Sequence, residues 1–154
     1  MRLTARDKEI IVDAITQLID AVAASDPELY AATPTIAITD ELPFYKVRET
    51  LDPQSYGAFI WTNEKPARTA IVINPVKISK GGIEELADTI AHETAHWAQW
   101  AQWGDTKCHS DILGGLPATP TNIKFAKEHA SIQAQLDHCL RESGLYSRLE
   151  ATIK

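Results

Sequence analysis

His92 and His96 stand four residues apart in the stretch IAHETAHWAQW (90–100), with Glu93 directly after the first histidine. On a helix of 3.6 residues per turn, positions i and i+4 project from one face, so the two imidazoles can address a single ion. Zinc bonds to imidazole nitrogen at about 2.0–2.1 Å, and with a third protein ligand its fourth position holds a water whose pKa falls to roughly 7. Glu93, beside that face, would accept the proton of this water and deliver it to a leaving amine while the ion polarises the scissile carbonyl. The chemistry expected here is hydrolysis of a peptide bond by a zinc-bound water that Glu93 activates. The competing expectation is a polar interruption in an ordinary core helix. Context weighs against it, because Ile90, Ala91, Thr94 and Ala95 are apolar or small and further candidate ligands follow in the chain.

Those residues must be positioned by a small number of elements. From Ile83 to about Trp103 there is no proline or glycine. Leu86, Ile90, Trp97, Trp100 and Ala101 recur there at three- and four-residue steps, so the motif is expected mid-helix on an element with one apolar stripe. Trp97 and Trp100 read as core, while Trp103 shares the histidine face; neither Tyr56 nor Tyr146 is assigned a catalytic role. Upstream, TARDKEIIVDAITQLIDAVAA carries Ile10, Ile11, Ala14, Leu18, Ala21 and Val22 at helical spacing, with Thr4 and Asp7 able to form its cap. TIAITD, bounded by Pro34 and Pro43, reads as a strand, and YGAFIWT and TAIVINP, separated by NEKPAR, as an antiparallel pair. GDTKCHSDILGGLPATPTN is expected to be a loop, and IKFAKEHASIQAQLDHCLRES a second helix ending at Gly144. On that helix Phe125, His129, Ile132, Leu136 and Cys139 form an apolar stripe, which turns His129 toward the core and places it as a candidate ligand or hydrogen-bond donor. His138 falls on the polar face.

A chain of 154 residues with 44% hydrophobic content is the size of one domain with a single core. The net charge of −6 and the lack of a lysine and arginine cluster argue against nucleic acid as a partner. No apolar run is long enough to span a bilayer and no secretory h-region opens the chain, so no membrane association and a cytoplasmic location are expected. Cys108 and Cys139 lack CxxC spacing, which points to free thiols rather than a disulfide framework or a zinc ribbon.

TAIVINPVKISKGGIEELADTIAHETAHWAQW resembles the zincin metallopeptidases, and within them most closely the SprT-like family. Members place a strand of aliphatic-x-aliphatic-Asn form, here IVINP at 71–75, before a connector and the HExxH helix, and YGAFIW is similar to their earlier strand with its glycine. The resemblance covers roughly residues 34 to 112. It implies an α+β minimal zincin-like fold: an N-terminal helix, a small three-stranded sheet, mixed or antiparallel, the HExxH helix and a closing C-terminal helix. It also implies zinc, with His92 and His96 as ligands, Glu93 as general base, a protein or peptide substrate and zinc endopeptidase activity. A third histidine from the loop after the helix would be His109 in KCHSD, where Ser110 stands in place of the family's usual glycine. The DNA-binding and zinc-ribbon appendages of some members have no counterpart, so no DNA-linked role is implied. EHASIQA is a looser likeness of the glutamate-ligand zincins, including ImmA/IrrE-like proteases that cleave a specific regulator, and would make Glu128 the third ligand. Asp105 and Asp111 would suit an aspartate-ligand zincin. A third alternative is a non-catalytic zincin-like binding module, against which the intact Glu93 argues, since a structural site has no use for that carboxylate. Zincins commonly hold substrate against an edge strand; Ala70 to Ile73 are expected to form that edge, with YGAFI as the alternative.

Overall fold

The computed structural model describes residues 3–25, 33–39, 41–42, 49–50, 55–62, 68–103 and 118–152. Over these the chain is α+β, with four helices and a small mixed sheet. Helix α1 (Ala5–Ser25) opens with the expected capping box: the Thr4 amide donates to Asp7 Oδ2 at 2.8 Å and the Asp7 amide donates to Thr4 Oγ1 at 3.1 Å. Its core face holds Ile10, Ile11, Ala14, Ile15, Leu18 and Ile19, whereas Ala21, expected on the stripe, is exposed.

Strands β1 (Thr35–Ile38), β4 (Gly57–Trp61) and β5 (Thr69–Ile73) form one sheet in the order β1-β5-β4, with β1 parallel and β4 antiparallel to β5. The sheet is thus the mixed one of the two forms expected. A separate pair, β2 (Glu41–Leu42) and β3 (Glu49–Thr50), was not anticipated. The expectation that Ala70 to Ile73 form an edge is overturned, because β5 is the central strand and has partners on both sides. All five of its residues are buried, as an unbroken apolar run would be in a strand covered on both faces. Ile71 and Ile73 join the main core, while Ala70 and Val72 pack with Ala58 and Ile60 on the opposite face. Among the described residues β4, the alternative, is paired on one side only.

Asn74 ends β5 and starts the next helix. Its amide donates to the Tyr56 carbonyl at 2.8 Å and its Nδ2 to the Ser55 carbonyl at 2.9 Å, while its Oδ1 accepts from the amides of Val76 and Lys77 at 3.1 and 3.3 Å. This cap explains why an asparagine closes the aliphatic run. Helix α2 (Pro75–Trp103) begins before the expected Ile83 but is broken at Gly82, with φ 82° and ψ −171°. Only glycine occupies that region readily, so a short first helix turns there into the long motif helix.

Helix α3 (Pro120–Glu142) starts from Thr119, whose hydroxyl accepts from the Asn122 amide at 3.2 Å. Gly144, at φ 83°, separates it from the unanticipated α4 (Leu145–Thr152), whose Leu145 and Leu149 return to the core. Among the described residues no helix is long and apolar enough to cross a membrane.

β4 approaches α2 through Gly57, where an added Cβ would meet the Val72 carbonyl oxygen at 2.6 Å and the Thr89 methyl at 2.9 Å. Because one of these neighbours is backbone, neither strand can yield cheaply. Gly57→Ala is expected to destabilise the fold by about 1–3 kcal/mol, the usual cost of overpacking. Chemical denaturation of the two proteins measures it.

Candidate metal centre

Helices α2 and α3 run antiparallel, and their contact is fastened by buried Gln99, whose Nε2 donates to the Phe125 carbonyl at 2.9 Å and to Glu128 Oε1 at 3.1 Å. One turn along each helix, in opposite chain directions, this register brings His129 against His92 and His96. Ring centroids are 4.7 Å apart for His92–His96, 4.6 Å for His92–His129 and 4.1 Å for His96–His129. One nitrogen from each of the three rings lies within 4.8 Å of the others, close enough for the set to bind a metal ion. His96 and His129 are buried, and the His92 side chain retains 26% exposure.

The hydrogen bonds define which nitrogens face inward. His129 Nε2 lies 3.1 Å from the His92 carbonyl, which can only accept, so Nε2 carries the proton and Nδ1 the lone pair. His92 Nδ1 lies 3.0 Å from Gln133 Oε1, an acceptor, which places the proton on Nδ1 and leaves the Nε2 lone pair available to a metal ion. Nε2 of His92 and Nε2 of His96 are 3.2 Å apart. Tetrahedral bonds of about 2.0–2.1 Å would separate two ligand nitrogens by about 3.3 Å, so the pair fits a common ion.

Glu93 Oε1 is 3.8 Å from His92 Nε2, on a side chain only 8% exposed. Its Oε2 is buried and has no hydrogen-bond partner among the described residues. Burial pushes its carboxyl up to about 8. A buried carboxylate without a compensating partner is costly, and a cation at the neighbouring imidazoles would compensate it. Glu93 also lines a cleft of about 370 Å³ with Ser55, Tyr56, Gly57, Asp88 and His92, so the carboxyl and the exposed edge of the His92 ring face one solvent-connected space.

The structure therefore brings together His92, Glu93 and His96 as expected, and adds His129. Glu128 is partly buried, turned to Gln99, and is not one of the clustered ligands. His109, Asp105 and Asp111 lie outside the described residues, as does the side chain of Trp103. His138 is exposed. Tyr56 lines the cleft, whereas Tyr146 donates a hydrogen bond to Glu84 beside Arg141, away from it. Sequence reasoning missed Asp88 and Gln133. The available signal was spacing, since Asp88 precedes His92 by four residues and Gln133 follows His129 by four, each on its partner's helix face.

No model of a known protein family matches the chain, and no curated protein or solved structure is significantly similar to it.

Without metal, Glu93 keeps its proton in the fold up to about pH 8, whereas the unfolded chain releases it near the ordinary glutamate value of about 4.5. The unfolded state then binds fewer protons, so this residue's contribution to stability falls as pH rises from about 4.5 to about 8. In the metal-free protein, Glu93→Gln should remove that decline. Denaturation midpoints of both chains across this range test it, and identical pH profiles would contradict it.

Proposed function

We propose that this chain is a zinc-dependent metallopeptidase of zincin type, with His92, His96 and His129 as ligands and Glu93 as general base. The observation that carries the proposal is the buried Glu93 carboxyl, 3.8 Å from the ligating nitrogen of His92 and lining an open cleft. Three imidazoles suit zinc, and an ion held by three protein ligands would keep a fourth position for water, which distinguishes a catalytic from a closed structural site. A zinc ion held there would supply Lewis acidity and lower the pKa of water to roughly 7. The chain's own residues do the rest. Glu93 takes a proton at its carboxylate from the attacking water and returns it to the leaving amine, and the buried faces of His96 and His129 keep the far side of the site dry.

A third histidine also supports the SprT-like resemblance over the glutamate-ligand alternative, because Glu128 is engaged by Gln99. Its origin on α3, rather than in the loop after the motif helix, is a difference from the pattern that pointed to His109. Retention of Glu93 in the cleft supports catalysis over a purely binding module. The substrate class is protein or peptide, and β4 beside the cleft, paired on one side only among the described residues, is the strand against which an extended segment would lie.

Glu93→Gln should retain one zinc per chain and the fold while peptide cleavage falls by 10²–10⁴-fold. Metal analysis together with cleavage of an unfolded protein substrate measures both. Wild-type rates in this variant would show that the carboxylate is not the base, and a zinc-saturated, desalted wild-type chain holding much less than one equivalent would remove the metal from the account.

A further inference from the structure

We infer that Asp88 and Gln133 are positioning residues that set which nitrogen of His92 carries the proton, and thereby hold Nε2 ready to ligate. Gln133 Nε2 donates to Asp88 Oδ1 at 3.0 Å, while Gln133 Oε1 lies 3.0 Å from His92 Nδ1. The two bonds are ordered by chemistry. A carboxylate only accepts, so the Gln133 amide must turn its NH₂ toward Asp88 and its oxygen toward His92. An amide oxygen also only accepts, so His92 must donate from Nδ1, and its neutral ring then keeps the lone pair on Nε2, the atom 3.2 Å from His96 Nε2. Without Asp88 the amide would be free to flip, offer its NH₂ to Nδ1 and favour the opposite tautomer, in which the ligating nitrogen is blocked by hydrogen.

The arrangement also matches the exposure of the three rings. His96 and His129 are buried and fixed by packing, and His129 has the His92 carbonyl to define its tautomer. His92 is the partly exposed one, lining the cleft with Asp88 and Gln133, and the hydrogen-bond relay from the second helix restrains its ring. Both relay residues lie on the rim of the cleft rather than in the core, so the fold does not need them for packing. Their role is orientation.

This inference rests on the proposed metal site, and its first test does not need the metal. In the metal-free chain, long-range ¹H–¹⁵N NMR of the imidazoles should show His92 protonated at Nδ1, and Gln133→Ala should bring up the Nε2–H form. In chelator competition with zinc, Gln133→Ala should weaken binding by 10–100-fold, the usual cost of losing a residue that orients a ligand. The reciprocal double variant Asp88→Asn with Gln133→Glu restores the order of donor and acceptor, since the asparagine NH₂ can donate to the glutamate and the glutamate can accept from His92. It should recover most of the affinity that Gln133→Glu alone loses, where two carboxylates face each other. An unchanged His92 tautomer in Gln133→Ala overturns the inference, and so does unchanged zinc affinity. If the wild-type chain binds no zinc but the tautomer shifts as expected, the relay stands and the metallopeptidase proposal fails.

Discussion

Three imidazole rings packed within 5 Å of one another constrain everything around them. Three neighbouring rings cannot all be protonated at such separations without strong repulsion, and the interior around His96 and His129 disfavours charge on either. The rings point defined nitrogens at one another, and Glu93 adds a carboxyl that burial holds protonated unless a cation arrives. A divalent ion held there would relieve both tensions together, accepting the converging lone pairs and offsetting the charge of an ionised Glu93.

The scaffold follows from that need. The motif helix is pinned at its start by Asn74 and the Gly82 break, against the sheet by Gly57, and along its length by Gln99 and the α3 backbone. Each of these fixes a different degree of freedom: entry direction, depth against β4, and register against α3. A slip of one residue between α2 and α3 would rotate His129 by about 100° away from the site. This explains why a fully buried glutamine with two hydrogen bonds stands at the contact, where an aliphatic residue would pack as well but specify less.

Much of this was legible because helical periodicity is a local property. His92, Glu93 and His96 declare a common face through their spacing alone, and the apolar stripe of α3 already turned His129 inward. What spacing does not contain is the register of one helix on another. The resemblance drew attention to His109, and only the packing of α3 on α2 distinguishes a core-facing histidine from a ligand. The Asp88 to Gln133 hydrogen bond spans 45 residues and was invisible for the same reason. The place of β5 was misjudged on a signal that was present: AIVI (70–73) is an unbroken apolar run, as a strand covered on both faces should be, whereas an edge strand is expected to alternate. Its parallel partner β1 lies more than thirty residues upstream, and no local pattern pairs them.

The central claim is that His129 completes a metal centre with His92 and His96. Zinc retention under a graded chelator, compared between His129→Ala and His109→Ala, tests it most directly. Loss of a true ligand weakens binding by orders of magnitude, beyond the 10–100-fold expected of an orienting neighbour. The account predicts that His129→Ala releases zinc under mild chelation while His109→Ala holds it as the wild type does. Release from His109→Ala with retention by His129→Ala would contradict it.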